Sequence, residues 1–278
     1  MELNSKRGCS LAFFALCFAL IPLKSNSQDN PDALPGWVQG TSVGQGGREI
    51  HGIRLESGPV VYSSPVAGDI DNNPSNGLET VVTSADGVVS AYRSDGIILW
   101  RYNTPNRGDG TNKVLGSPAI GKVYGDGIHY VAVPYGGVPE REDGGVVLLR
   151  GYDGFEMWKF STKANSKKYK YGVPVGYGVV STPSLSDTDG DGKMEIGFGS
   201  FDRNVYLLDH NGSLRWFYTA ADTVWSSAAF SPGSKKSKGI MYIGTDISQN
   251  KALRPPTKNG GFVYAFKTTP RKNKKIGF

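Results

Sequence analysis

The sequence of 278 residues predicts an all-β fold, and three observations support this prediction. Glycine is abundant, with 38 residues, and tyrosine and tryptophan contribute 14 and 5. Apolar residues occur in short runs separated by turn-forming pairs, whereas long stretches with helical periodicity are missing. Four segments of the chain also repeat the same succession of runs. Many short strands joined by tight turns account for all three observations.

The first 28 residues are predicted to be a secretory signal peptide. Lys6 and Arg7 precede the apolar run "LAFFALCFALIPL", and small and polar residues follow it. This order is typical of exported proteins, and the run is short for a membrane span. An uncleaved membrane anchor is the alternative. Both cysteines, Cys9 and Cys17, lie in this segment, so the mature chain is expected to have no disulfide and no cysteine metal site.

Residues 29–59 are predicted to be a lead-in segment, and residues 60–278 a repeat domain. The units of that domain span residues 60–105, 114–162, 179–220 and 224–278. In the first three, a Ser-Pro or Thr-Pro pair leads a short apolar strand, and a β-rich run and a third strand follow. An Asp-Gly or Asn-Gly turn then leads to a strand that contains tryptophan. A steady period with four strands per unit predicts a β-propeller-type array of about four four-stranded blades.

The tryptophans and the turns before them have specific expected roles. Trp100, Trp158 and Trp216 are 58 residues apart in both steps, and we expect them to fill the space between neighbouring sheets. The preceding turns are predicted to be two-residue hairpins of the primed type, in which both central residues have positive φ. These turns are Asp95-Gly96, Asp153-Gly154 and Asn211-Gly212.

The fourth unit departs most from the pattern. It lacks the leading proline and the closing tryptophan, and its last strand is predicted to be "KKIGF" at residues 274–278. The lead-in segment is expected to supply a first strand, or a strand that closes the array against this unit. The array is therefore a closed ring, an open crescent or part of a ring that another chain completes, and the sequence leaves these alternatives open.

The third unit contains a candidate calcium loop, "DTDGDGKME", at residues 187–195. Asp187, Asp189 and Asp191 occupy positions 1, 3 and 5 of this loop, the carbonyl of Lys193 stands at position 7, and Glu195 at position 9. Ca²⁺ prefers six to eight hard oxygen ligands, and these residues offer carboxylate and carbonyl oxygens. The alternative is a solvated turn, because Asp and Gly are common in turns without any metal.

This stretch resembles the D-x-D-x-D-G-x-x-[DE] loop of the FG-GAP/VCBS repeats found in integrin-type propellers. The next run, "GSFDRNVYLLDHNGSLRW", is similar to blades of quinoprotein-like propellers. The matching units cover most of residues 60–278. The resemblance implies a propeller fold and a Ca²⁺ ion that stabilises a blade loop.

The other units vary this loop. The first unit supplies Asp69, Asp71 and Asn73, but two extra residues delay its glutamate to Glu79, so a second Ca²⁺ site is possible there. The second unit retains only Asp126, and the fourth has lysines in place of acids. We expect neither of these two loops to hold a divalent cation.

No catalytic pattern emerges from the rest of the chain. His51, His129 and His210 are not spaced as zinc ligands, and "GTSVG" at 40–44 lacks the strand and helix that flank a nucleophilic serine. The resemblance to quinoprotein-like propellers also raises the possibility of a quinone-linked enzyme. Such enzymes are usually larger rings, and many have a pair of adjacent cysteines near the quinone. Propellers of one architecture also serve unrelated functions, so the fold alone does not choose among them.

The sequence therefore predicts a calcium-stabilised propeller that is secreted, periplasmic or on the cell surface. Binding or scaffolding of protein or anionic glycan partners at the cell envelope is favoured, with contacts expected at residues 163–178 and 248–261. Self-association is possible, and with 31 basic and 25 acidic residues but no nucleic-acid motif, no nucleic-acid partner is expected. No membrane span is expected after signal cleavage. The alternative is an enzyme, either a quinone-linked oxidoreductase or a glycan-acting lyase or hydrolase; a partner-binding subunit of outer-membrane protein assembly is a third possibility.

Overall fold

The computed structural model describes residues 41–43, 49–51, 57–105, 114–137, 143–169, 176–220, 222–246 and 261–269. The chain divides into residues 1–33 and 34–278, and every described residue belongs to the second part. The predicted signal peptide and the predicted strand at 274–278 lie outside the described residues. The described residues form an all-β, propeller-type array of antiparallel sheets, which confirms the predicted fold class.

Each repeat unit forms one sheet in which consecutive strands pair with each other. The first sheet contains β3 (Val66–Gly68), β4 (Glu79–Thr83), β5 (Val88–Tyr92) and β6 (Ile98–Asn103). The second contains β7 (Ala119–Gly121), β8 (Tyr130–Tyr135), β9 (Gly145–Arg150) and β10 (Glu156–Ser161). The third contains β11 (Ser184–Ser186), β12 (Glu195–Gly199), β13 (Asn204–Leu208) and β14 (Leu214–Thr219). The described part of the fourth contains β15 (Ala229–Ser231), β16 (Ile240–Thr245) and β17 (Phe262–Lys267).

The residues before the sheets form a small hairpin. Strands β1 (Thr41–Val43) and β2 (Glu49–His51) pair antiparallel with each other. Both strands lie in the described part of the lead-in segment, and a strand of this segment that leads or closes the array stays a prediction.

The apolar cores lie between neighbouring sheets because successive side chains of a strand point to opposite faces. In β8, Val131 and Val133 pack with the first sheet, whereas Tyr130 and Ala132 pack with the third. A third core joins the third and fourth sheets through Leu207 of β13 and other residues. Central strands buried on both faces read as nearly continuous apolar runs, which explains sequences such as "YVAVPY" and "GVVLLR".

The first strands of the sheets lie next to each other in chain order. Strand β3 contacts β7, β7 contacts β11, and β11 contacts β15. Hydroxyl side chains before these strands join neighbouring units: the Ser64 N–H donates to Ser117 Oγ at 2.8 Å, and the Thr182 N–H donates to Ser227 Oγ at 2.9 Å. These bonds give the repeated Ser or Thr at this position a structural role.

The three repeated tryptophans lie in cores between neighbouring sheets, as predicted, with Trp216 between the third and fourth sheets. The first two also make an equivalent hydrogen bond. Trp100 belongs to the core between the first two sheets, and its Nε1 donates to the Gly151 carbonyl of the second sheet at 2.6 Å. Trp158 repeats this contact one unit later, with Nε1 donating to the His210 carbonyl at 3.0 Å. Each indole thus lies against the hairpin turn of the next unit and ties the two sheets together.

The predicted primed turns are wrong in one respect. Gly96 and Gly212 have positive φ, but Asp95 and Asn211, which precede them, do not. The Gly96 N–H bonds to the Arg93 carbonyl and the Arg93 N–H to the Ile97 carbonyl, which describes a three-residue loop ending in a left-handed glycine. The Asp95 side chain accepts the N–H two residues later, so the acid serves hydrogen bonding and not positive φ.

Substitution of Gly154 should separate backbone strain from collision with a tryptophan. Gly154 (φ +70°) would place a Cβ 2.8 Å from the Trp100 ring, whereas Gly127 (φ +85°) has open space around the same position. We expect Gly127→Ala to lower the free energy of unfolding by about 1 kcal/mol through strain alone. Gly154→Ala should lose a further ~1–3 kcal/mol through overpacking, measured by urea denaturation. Equal losses in both variants would contradict the close packing of the indole on this turn.

A helix that the sequence analysis missed follows the second sheet. Helix α1 (Thr162–Tyr169) begins where only a long connection, residues 163–178, was predicted. Its start has a local signal in hindsight: Ser161 Oγ accepts the Ala164 N–H at 2.9 Å, as an N-cap does. A short 3-10 helix (Pro74–Asn76) lies in the first unit. Among the described residues, no helix has the length and apolar character needed to cross a membrane.

Candidate metal site

Two acidic groups occupy equivalent loops between the first and second strands of the first and third sheets. In both, the last ligand candidate starts the second strand and lies opposite the end of the first: Glu79 pairs with Gly68, and Glu195 with Ser186. Asp69, Asp71 and Glu79 bring carboxylate oxygens within 4.8 Å of one another, and so do Asp187, Asp189 and Glu195. Both groups could therefore hold a metal ion.

In the first loop, backbone N–H groups arrange the carboxylates. Asp69 Oδ1 and Asp71 Oδ1 both accept the Asn73 N–H, at 2.8 and 2.9 Å. Glu79 Oε2 accepts the Ile70 N–H at 3.0 Å, while Asp71 Oδ2 accepts Nδ2 of Asn76 at 2.7 Å. The chain thereby folds back on itself so that three acids face a common point.

Two oxygens of this first loop are buried without a hydrogen-bond partner among the described residues, namely Glu79 Oε1 and Asn76 Oδ1. Glu79 itself is 0% exposed. Burial, together with the nearby charge of Asp71, raises the pKa of Glu79 despite backbone hydrogen bonds that act in the opposite direction. No Lys or Arg in the described part of the chain pairs with the three acids. A buried carboxylate oxygen without a donor is costly unless a cation or another donor meets it.

In the third loop, backbone hydrogen bonds again hold the first acid. Asp187 Oδ1 accepts the Gly190 N–H at 2.6 Å, and Oδ2 accepts the Gly192 N–H at 2.9 Å. Burial opposes ionisation of Asp187, but these N–H groups together outweigh it and lower the pKa of this side chain. Glu195 Oε2 accepts both the N–H and the hydroxyl of Thr188.

The third loop differs from the first because a guanidinium lies against its acids. Arg215 of β14 is 7% exposed, and its Nη2 lies 2.8 Å from Glu195 Oε1. Nη1 lies 3.2 Å from Asp189 Oδ2, and Nε pairs with Asp209. Burial acts to lower the pKa of Arg215, but the carboxylates, chiefly Asp209, outweigh it and raise this pKa. Burial raises the pKa of Glu195, although Thr188 and Arg215 counteract that effect.

The remaining predicted ligands lie at the margin of these groups. Asp191 is exposed, and its Oδ1 accepts the Lys193 N–H at 2.8 Å as part of a turn. Asn73 Oδ1 accepts from Ser75 in a similar turn. Sequence reasoning missed Asn76, which lies in the two-residue extension of the first loop. It also missed Arg215, whose position directly before a repeated tryptophan was the available signal.

The second and fourth loops lack the glutamate that starts the second strand. Tyr130 and Ile240 stand at that position, paired with Gly121 and Ser231. Each of these two loops nevertheless contacts the third loop. The Met194 N–H donates to the Val123 carbonyl of the second loop, and Lys238 Nζ of the fourth loop lies 3.9 Å from Asp189 Oδ2. The lysine-rich fourth loop therefore lies beside the acidic third loop.

Two of the three histidines, His129 and His210, have described side chains, and their described contacts are structural. His129 Nδ1 lies 3.3 Å from Asn72 Oδ1, and the His210 ring packs edge-on against Tyr124. Ser42 lies within strand β1, and not on a turn between a strand and a helix.

No family model and no curated protein matches this chain. Solved structures that are partly similar to it include quinohemoprotein alcohol dehydrogenase from Comamonas testosteroni (15% identity, TM-score 0.44, 68% of this chain and 34% of that one). BamB from Moraxella catarrhalis matches with 15% identity and TM-score 0.40, over 77% of this chain and 51% of that one. The PilY1 C-terminal domain from Pseudomonas aeruginosa matches with 16% identity and TM-score 0.42, over 61% and 37%. This chain spans about a third to a half of the length of these structures.

Proposed function

We propose that this chain is an exported, calcium-stabilised propeller-type binding module related to FG-GAP/VCBS repeat proteins. The observation that carries the calcium proposal is Glu79 Oε1, a buried carboxylate oxygen to which no described residue donates, while two further carboxylates face the same point. Three carboxylates without a pairing cation repel one another, and a divalent cation relieves that repulsion.

The first loop has the donor chemistry that Ca²⁺ prefers. Asp69, Asp71 and Glu79 provide carboxylate oxygens, and Asn76 offers an amide oxygen in the same loop. Hard oxygen ligands of this kind select Ca²⁺ or Mg²⁺ over softer metals, and a flexible loop with several carboxylates favours the larger Ca²⁺. Bound Ca²⁺ would supply positive charge that fixes the loop against the edge of the first sheet.

Calcium titration of the purified chain tests this proposal. We expect heat of binding in calorimetry and a stabilisation of about 2.7 kcal/mol when free Ca²⁺ is a hundred times the Kd. Glu79→Gln should abolish the heat because it removes one buried charge at nearly constant shape. The matched control is Asp126→Asn, an acid in the equivalent loop of the second unit, which should bind like the unmodified chain. Absence of binding, with a melting temperature that ignores chelator, would overturn the calcium proposal.

The partner is proposed to be a protein or an anionic glycan that contacts loops at the sheet edges. Lys235, Lys236 and Lys238 are exposed on the fourth loop, and this positive charge suits carboxylate or sulfate groups. The predicted contact region at 248–261 lies, except for its last residue, outside the described residues. Salt-sensitive retention on an immobilised sulfated polysaccharide, compared with capture of one purified envelope protein, separates the two partner classes.

Export remains a proposal that rests on the first 28 residues. The N-terminal sequence of the chain recovered from the periplasm or medium tests it, because cleavage is expected near Ser27 or Gln28. Recovery of the intact N-terminus in a membrane fraction would support an uncleaved anchor instead.

A further inference from the structure

The fourth strand of each complete sheet contains a β-bulge directly before its tryptophan. In the first sheet, Trp100 pairs with Ala91 and Ile98 pairs with Tyr92, so Leu99 is the extra residue. The same shift makes Met157 the extra residue of the second sheet and Arg215 that of the third. A bulge re-aims the side chain of its extra residue, and the three sheets have filled this one position with different chemistry.

Leu99 and Met157 use the bulge position for apolar packing, against the cores on either side of the second sheet. Arg215 instead directs its guanidinium to Glu195 and Asp189 at 2.8 and 3.2 Å. Both sheets have a glutamate at the start of the second strand. The bulge residue of the fourth strand is a cation in the third sheet and an apolar residue in the first. The two acidic loops are alike in carboxylates and differ in this residue.

The consequence appears in the hydrogen bonds of the two glutamates. Glu195 has a partner on each oxygen, because Thr188 occupies Oε2 and Arg215 occupies Oε1. Glu79 has backbone donors on Oε2, and its Oε1 has no partner among the described residues. The third loop also has one buried oxygen without a partner among the described residues, Asp189 Oδ1. The other oxygen of this carboxylate, Oδ2, is paired with Arg215.

We infer that Arg215 serves as a built-in cation which excludes Ca²⁺ from the third loop and thereby restricts metal binding to the first. This inference rests on the proposed calcium function and departs from the expectation that the third loop is the main site. A metal that binds Glu195 Oε1 in the third loop must displace the Arg215 guanidinium from it, and a metal at either oxygen of Asp189 lies close to that nearly buried cation. Arg215 would keep only Asp209 as its acid and would lie beside a divalent cation, and like charges at close range in a nearly buried site repel strongly.

Calorimetric titration with Ca²⁺ of the full chain and of Arg215→Leu tests the inference. Leucine is the residue of the first sheet at this position, so the variant gives the third loop the apolar bulge residue that the first sheet has. We expect one Ca²⁺ per unmodified chain and two per Arg215→Leu chain, with the second lost again when Asp189→Asn is added. In chelator, Arg215→Leu should melt at a lower temperature than the unmodified chain, and Ca²⁺ should recover most of the loss. Arg93→Leu, which removes an exposed arginine at a hairpin turn, is the matched control and should bind one.

The reverse substitution keeps the test decisive if Arg215→Leu fails to fold. Leu99→Arg places the guanidinium in the first sheet, and we expect the number of bound Ca²⁺ to fall from one to none. Two Ca²⁺ per unmodified chain would overturn the inference while supporting the calcium proposal. A folded Arg215→Leu chain that gains no site, or a Leu99→Arg chain that keeps its site, would also overturn it. If the unmodified chain binds none, the proposed first site fails, yet a site gained in Arg215→Leu would still support the role of Arg215.

Discussion

Replacing Trp100 with alanine is expected to lower the free energy of unfolding by about 3–5 kcal/mol. The indole is 8% exposed and belongs to the core between the first two sheets. Its Nε1 also donates to the Gly151 carbonyl, so truncation removes packing and leaves that carbonyl without its donor. Urea denaturation followed by far-UV circular dichroism, and not by tryptophan fluorescence, measures the loss.

Trp225→Ala is the matched control, because this tryptophan is 50% exposed and contacts Phe201 edge-on. We expect it to cost no more than about 1 kcal/mol, as surface substitutions usually do. Trp100→Phe should fall between the two, since it keeps an aromatic ring but removes the N–H donor. Similar losses for Trp100→Ala and Trp225→Ala would show that the repeated tryptophan does not join the sheets.

The repeated tryptophans also explain why the sheets were predictable from sequence. Trp100 and Trp158 each donate a hydrogen bond from the indole N–H to a carbonyl of the next unit, so the same residue recurs at a fixed spacing. Strand pairing between consecutive strands needs only local sequence, and alternating side chains then fill two cores at once. A sequence repeat therefore predicts the sheets but does not specify the conformation of the turns. The turn at Asp95-Gly96, for example, has positive φ at Gly96 and not at Asp95.

The candidate metal site was only partly predictable, because its decisive residues are remote in sequence or lack a pattern. The acids of both loops stand out through their alternation, and three from each loop do converge. Arg215 follows Glu195 by two strands and meets it through a bulge, so its place before a repeated tryptophan marks the residue but does not identify its partner. Asn76 lies in an extension that the repeat does not share. A motif thus located the loops, whereas their difference in charge emerged from the folded structure.

Replacing Asp202 with alanine is expected to lower the free energy of unfolding by about 3 kcal/mol. Asp202 is 2% exposed in the turn between β12 and β13, and its Oδ1 accepts the Asn204 N–H at 3.1 Å. Oδ2 accepts the hydroxyls of Tyr206 and of Ser166, the latter at 3.0 Å from helix α1. Alanine leaves these buried donors without an acceptor, and each such loss costs about 1–3 kcal/mol, offset in part by removal of a buried charge.

Asp202→Asn should cost less and should change how stability depends on pH. Burial raises the pKa of Asp202 above its ordinary value near 3.8, although Tyr206 and Asn204 counteract this effect. The folded protein therefore retains the proton more readily than the unfolded chain. This contribution to stability is present below the ordinary pKa and is lost as the pH rises through the folded value. Urea denaturation at about pH 4 and pH 7 should thus favour Asp202→Asn, relative to the unmodified chain, at the higher pH.

A double-mutant cycle with Ser166→Ala shows whether Asp202 anchors helix α1 to the third sheet. If the hydroxyl and the carboxylate act together, the losses from Asp202→Ala and Ser166→Ala should be non-additive by about 0.5–3 kcal/mol. Strict additivity would mean that the helix is held by other contacts. In that case the cost of Asp202→Ala belongs to the turn alone, where Asn204 and Tyr206 lose their acceptor. A measured coupling would instead show that this buried carboxylate, together with the bond from Asn165 Nδ2 to the Tyr206 hydroxyl, joins helix α1 to the third sheet.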